Sequence, residues 1–345
     1  MVYQDFDWQR DYRGNLDWLE KRTVLLVRHG AHAYGLATET SDLDIKGIAI
    51  PPKEYFLGFL KRFEQAESKQ PDMSIYDIRK FFQLACDCNP NIIEVLWCDD
   101  GDVIQANWIG EAFRHFRASF LSKKARHTFS GYAHAQLKRI KTHKKWLLNP
   151  PTHKPERAEF DLPETTVVSK DIMGAIENLE EKGTLDQHEI EFGPAVMHAY
   201  QRERAYHNAL REWSQYQNWK ANRNPARAEI EAKFGYDTKH AMHLVRLMRM
   251  CREILTQGKV IVKRPDREEL LAIRNGAWGY DTLIEWAEAQ DTEMETLAEK
   301  SALPHGPDRP YLDSLCKAWV EEFLINEFTE LPPSSPLALT RFLNS

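Results

Sequence analysis

Two apolar runs flank a short polar segment early in the chain. Val24–Val27 is unbroken and apolar, and leads into His29-Gly30-Ala31. A short polar helix or turn follows through Gly35. Ser41-Asp42-Leu43-Asp44 then opens a segment whose faces alternate through Ile45, Ile48 and Ile50. Both runs read as strands. Asp72–Ile78, alternating and rich in β-branched residues, predicts a third. Phe81, Phe82, Leu84 and Ala85 form the apolar face of a helix that Asn89-Pro90 stops. A second short helix carries Ile92, Ile93, Val95 and Leu96. Further on, the spacing is helical. Phe113, Phe116 and Phe120 recur at i, i+3, i+7, and Ala133, Leu137 and Ile140 continue the pattern. Those aromatics read as core rather than as platforms for stacking bases. Residues 149–170 hold Pro150-Pro151, Pro155 and Pro163, and read as an exposed loop or linker. Helices resume at Asp171, with an amphipathic one over Tyr200–Lys220 and others over Tyr280–Lys300 and Leu312–Phe328. The final LPPSSPLALTRFLNS reads as a loose tail. The pattern predicts an α+β protein, with an α/β domain over 1–110 and a helical domain over 111–345. The middle of the latter, about 150–200, has no distinctive signature.

Composition adds limits. A chain of 345 residues is long enough for two domains with real cores. With 42% hydrophobic and 28% charged residues it reads as an ordinary globular protein. No apolar run approaches the ~20 residues of a membrane helix. The N-terminus has no apolar secretory core, so a cytoplasmic location is expected. Five cysteines, an odd number in a long chain, imply no disulfide framework, and Cys86 and Cys88 read as buried thiols. No Cys/His spacing suggests zinc. The net charge of −6 excludes a globally basic nucleic-acid binder. A local patch is a different matter. From Ala112 to Pro155 there is no Asp or Glu, while Arg114, Arg117, Lys123, Lys124 and further cations are present. Such a stretch attracts polyanions, or pairs with the acidic run that follows it.

The chemistry is concentrated between Gly30 and Asp44. On a strand, a period of two puts Asp42 and Asp44 on one face. Adjacent carboxylates repel unless a cation lies between them, and their hard oxygens suit Mg²⁺, with Mn²⁺ as a substitute. Two such ions ~3.5–4 Å apart clamp the attacking and leaving oxygens of a phosphoryl displacement. Gly30 lets the backbone approach a ligand, and the amides after it can hold phosphates. On a helix near the other end of the chain, Ala241, Leu244, Val245, Leu247, Met248 and Cys251 form the apolar face. Lys239, His243 and Arg246 fall at i, i+4, i+7 on a second face that carries no acid.

The Gly30-Ala31 pair, the spacer His32–Ser41 and Asp42-Leu43-Asp44 together resemble the signature of the DNA polymerase beta nucleotidyltransferase superfamily. That superfamily commonly has Ser where this chain has Ala31, and the Ser hydroxyl contacts a phosphate. Two longer blocks are similar to one branch, the predicted nucleotidyltransferases related to RNA-repair-pathway polymerase-beta-like proteins. They are GAHAYGLATETSDLDIKGI with SIYDIRKFFQLACDCNPNIIEVLW, and RNPARAEIEAKFGYDTKHAMHLVRLMRMCREIL with GKVIVKRPDREELLAIRNG.

The resemblance implies a nucleotidyltransferase domain followed by a helical domain, with a nucleoside triphosphate between them. It implies that Asp42 and Asp44 bind Mg²⁺. A third carboxylate is expected on the 72–78 strand, with Asp72 the first choice and Asp77 the second, because strand alternation turns them opposite ways. Glu94 is a weaker candidate, expected to be exposed or capping. Gly30, Ala31 and Ser41 are expected to hold phosphates, and Lys239, His243 and Arg246 to face the nucleotide, with Arg274 a weaker addition. The implied reaction moves a nucleoside monophosphate from an NTP such as ATP to an acceptor hydroxyl, on RNA or on a protein, and releases pyrophosphate. The contrasting reading is a silent nucleotide- or RNA-binding module, supported by Ala31.

Overall fold

Strand β1 (Thr23–His29) is buried along nearly its whole length, as an unbroken apolar run requires. It is the inner strand on which the motif is built. In the computed structural model, which describes residues 6–39 and 41–326, five strands form one mixed sheet. The side chains of residues 186–191, 226 and 326 lie outside the description. The other strands are β2 (Asp44–Ala49), β3 (Gln65–Lys69), β4 (Asp72–Asp77) and β5 (Val103–Ala106), and the order is β3-β4-β2-β1-β5. β2 and β4 run parallel, and the remaining pairs are antiparallel. The register sets Asp44 opposite His29 on one side and opposite Asp72 on the other. Asp42 precedes the strand rather than lying within it.

One face of the sheet packs Leu26, Ile45, Ala49, Met73 and Ile75 with Phe6, Leu19 and Phe63. Helices α1 (Gly30–Ala33), α2 (Ile78–Cys86) and α4 (Trp108–His115) follow β1, β4 and β5, α3 (Pro90–Trp97) follows α2, and α2, α3 and α4 bury Phe81, Phe82, Ile92, Ile93 and Phe113. Helix α2 has Asp77 as N-cap, accepting from the amides of Arg79 and Lys80, and α3 has Asn89 as N-cap with Pro90 in its first turn. Phe113 and Phe120 are fully buried, with Phe113 4.9 Å from Trp319 between ring centroids. Phe113, Phe120 and Phe129 of the cationic stretch are therefore core, whereas its Tyr132 is exposed.

The chain divides into two compact units. One joins residues 1–139 with 238–345, and the other is 140–237. This differs from a single boundary near residue 110. Trp319 in the last described helix packs against Phe82 of α2, so the C-terminal helices complete the core beside the sheet. Helix α5 (Ala125–Leu148) starts in the first unit and crosses the boundary. The second unit continues with α6 (Lys170–Glu181), α7 (Leu185–Ala221), broken at Gly193, and α8 (Pro225–Phe234). Back in the first unit are α9 (Thr238–Gln257), α10 (Arg267–Arg274), α11 (Tyr280–Lys300) and α12 (Arg309–Asn326). Residues 327–328, expected to end the last helix, and the tail over 331–345 lie outside the described residues. All five cysteines are free and buried. Among the described residues, no helix is long and apolar enough to cross a membrane.

Candidate active site

Gly30 turns the chain from β1 into α1 with φ of +63°. A β-carbon at Gly30 would lie 1.7 Å from Asp44 Oδ2, so only glycine leaves room for that carboxylate. Asp44 is half-buried at the start of β2. Its carboxyl is raised above the usual range, first by burial and then by the charges of Asp72 and Asp42, against the pull of Lys46. The charges of Asp42 and Asp72 thus lie close enough to Asp44 to disfavour its ionisation. A divalent cation with hard-ligand preference relieves that arrangement, so the residues present fit Mg²⁺ or Mn²⁺.

Asp42 and Asp44 share a cleft of about 150 Å³ with Ala31, Tyr34, Leu36 and Ser41 on one side, and Lys239, Met242, His243 and Arg274 on the other. Lys239, Met242 and His243 fall at i, i+3, i+4 on the first turns of α9, which gives them one face. Arg274 ends α10, and its carbonyl accepts the Thr238 hydroxyl at 2.6 Å, which fastens the two helix ends together. Ser41 Oγ accepts the Thr38 amide at 2.8 Å and so closes the turn before Asp42.

Asp72 is exposed beside Asp44 in the β2/β4 register. Asp77 points the other way. It is buried, caps α2 and pairs with Arg79 at 2.8 Å, so its carboxylate is committed away from the cleft. The burial of β4 alternates as expected, with Met73, Ile75 and Asp77 inward.

Two expectations need correction. Arg246 does not line the cleft. It is buried one turn further along α9, where it donates to Glu94 Oε1 at 2.6 Å and lies 3.7 Å over the Tyr34 ring. Helical spacing identified the side of α9 but not where the cleft ends along it. Glu94 is neither exposed nor capping: it is fully buried in α3. Its other oxygen accepts the Tyr34 hydroxyl, and His29 Nε2 is 3.3 Å away. Burial alone would raise the Glu94 carboxyl, but the Arg246 charge and the His29 and Tyr34 contacts hold it well below the usual range. Burial, with Lys46 nearby, pushes His29 down to about 4, so the ring is neutral at pH 7. Behind the cleft wall, therefore, a buried ion pair joins α9 to α3 through Tyr34.

Sequence reasoning also passed over Tyr34 and Lys46. Lys46 stands two residues after Asp44, so strand alternation could have put it on the same face. Burial lowers its pKa, while Glu94, Asp44 and Asp72 draw it back up. Nothing in the spacing of Tyr34 marked it as a lining residue.

Comparison with known proteins agrees with this geometry. A family model described as the RNA repair pathway DNA polymerase beta family matches residues 12–318. An uncharacterized 38.9 kDa protein from the nrdC-mobD intergenic region of Enterobacteria phage T4 is 32% identical over 85 residues. That match spans 22% of this chain and 25% of the phage protein. No solved structure matches the chain significantly. The family match runs through the sheet, the acidic cluster and the helices of the cleft, and the chain belongs to the RNA repair pathway DNA polymerase beta family, a family of polymerase-beta-like nucleotidyltransferases.

Proposed function

We propose that this protein transfers a nucleoside monophosphate from an NTP to a hydroxyl of RNA. The observation that carries this reading is the cleft itself: Asp42 and Asp44 on one wall, and Lys239, His243 and Arg274 on the other. Asp42, Asp44 and Asp72 would hold Mg²⁺, which supplies Lewis-acid stabilisation of charge at the phosphorus being attacked. The amides following Gly30 bind the polyphosphate where Ala31 offers no hydroxyl. Lys239 and Arg274 offset its negative charge, and His243 donates to a phosphate or a base edge. Asp72, exposed at the rim, takes the proton of the acceptor hydroxyl. The acceptor oxygen forms a bond to the α-phosphorus as the bond to the bridging oxygen breaks, and pyrophosphate leaves. Tyr34 shapes the wall, held by Glu94 and Arg246.

Pyrophosphate release tests the reading. With NTP, RNA and Mg²⁺ it is expected to depend on all three and to stop on chelation. Release that continues in chelator, or without any acceptor, would refute the proposal.

A further inference from the structure

A second groove, of about 550 Å³, lies across one turn of chain from the cleft. Its walls carry Trp97, Asp100, Arg114, Arg117, Lys259 and Lys263. A smaller hollow of about 350 Å³ adjoins it and shares Asp100, Arg114 and Arg117. Tyr34 and Leu36 line the cleft, and Gly35 between them abuts the groove. The Lys263 side-chain stem passes 3.9 Å from where a β-carbon on Gly35 would sit. Arg28, two residues before Gly30, donates to the Gly101 carbonyl and pairs with Asp102 at 3.6 Å. The groove is thus built onto the same strand-to-helix turn that forms the motif.

Its charges are unevenly matched. Arg114 pairs with Asp100 at 2.6 Å, and Lys263 with Asp99 at 3.4 Å. Arg117 and Lys259 have no carboxylate at ion-pair distance among the described residues. The Arg117 guanidinium is held in place, 4.4 Å over the Trp97 ring and 3.4 Å from the Leu96 carbonyl. Burial, then the neighbouring Arg114, disfavour its charge. A fixed cation under those conditions, in a chain of net charge −6, is stabilised by an anion from outside.

Resting on the reading of the cleft as a nucleotidyl-transfer site, we propose that this groove holds the phosphate backbone of the single-stranded RNA acceptor, with Arg117 and Lys259 as its phosphate contacts. The joined hollows, of about 550 and 350 Å³, favour a chain of phosphates over one free ion. The strand leaves the cleft over the Gly35 turn and enters the groove between Lys263 and Trp97. Arg117 also gives the acid-free stretch of the sequence a part beyond its packed aromatics.

The test uses the full-length protein in chelator, so that no transfer occurs. Binding of a labelled single-stranded RNA of mixed sequence is followed by anisotropy over a range of salt. Arg117→Ala with Lys259→Ala is expected to bind at least about tenfold more weakly, with a log–log salt slope shallower by about 1.4, since each phosphate contact on a single strand contributes ~0.7. NTP binding should not change. Lys259→Glu alone, at an exposed position, provides a variant whose fold is not at risk. Wild-type affinity and slope in both variants would overturn the proposal. So would preferential binding of a poly-glutamate peptide that these variants lose, which would make the groove a site for an acidic protein. Label transferred to protein while RNA binding stays intact would refute the reaction and leave the groove standing.

Discussion

The α-carbon of Gly30 faces the carboxylate of Asp44 so closely that an added methyl would stand 1.7 Å from Oδ2. The turn that presents backbone amides and the strand that presents a metal ligand therefore fit together only without a side chain. Gly30→Ala is expected to displace Asp44 and to strain a residue at φ +63°. The strain alone costs about 1–2 kcal/mol. A shift of about 1 Å at the reacting centre costs roughly a hundredfold in rate. Transfer assays with circular dichroism as control would show near-abolished activity in a folded protein. Full activity in this variant would mean that Asp44 does not need its observed position.

The acidic cluster makes a second prediction, on stability. Because the Asp44 carboxyl is raised in the folded state, its ionised form destabilises the fold at neutral pH without metal. Asp44→Asn should melt at or above the wild-type temperature in chelator. Mg²⁺ should then stabilise the wild type and leave the variant nearly unmoved. A variant that melts lower in chelator and still gains from Mg²⁺ would contradict the cluster as a metal site.

Lys239 and Arg246, seven residues apart on α9, should behave differently. Lys239 lines the cleft, so Lys239→Ala is expected to weaken NTP binding about ten- to hundredfold, for a charge-assisted bond worth ~1.5–3 kcal/mol. Its melting temperature should hold. Arg246→Ala instead leaves Glu94 buried and unpaired, a loss of about 3–5 kcal/mol of stability. Adding Glu94→Gln should restore part of it. Equal, small effects on stability from both single variants would show that the buried pair is not what joins α9 to α3.

His29 predicts a pH dependence. Its folded pKa, about 4, is below the ordinary 6.5, so the unfolded chain binds the extra proton between those values. Stability from the neutral ring is complete above pH 6.5, declines as the pH falls toward 4, and is gone below it. Urea titrations in chelator should show His29→Asn losing about one proton's worth of slope in that window. An unchanged slope would mean that the ring is already protonated in the fold.

Much of this was legible in the sequence. The motif was readable because glycine, spacer and paired acids each leave a local signature. Alternation along β4 separated Asp72 from Asp77, since Met73 and Ile75 had to be buried. The helical face of Lys239 and His243 was legible too, but its depth was not. Periodicity gives direction around an axis, and only packing decides that Arg246 ends beneath Tyr34. Glu94 was misread because capping rules describe a helix in water, whereas its partners come from β1, α1 and α9. A lone acid in the apolar run Pro90–Trp97 was the available signal. The division into 1–139 with 238–345 and 140–237 had no local signal either: Trp319 and Phe82 meet across more than two hundred residues that no local pattern connects.

The most direct measurement uses two labelled forms of each NTP, one carrying label on the α-phosphate and one on the γ-phosphate. Each is incubated with the protein, Mg²⁺ and either RNA or cell protein. The account predicts α-label covalently attached to RNA, γ-label released as pyrophosphate, and neither event with Asp42→Asn/Asp44→Asn. Attachment of γ-label, label in the protein fraction alone, or undiminished transfer by the double variant would contradict it.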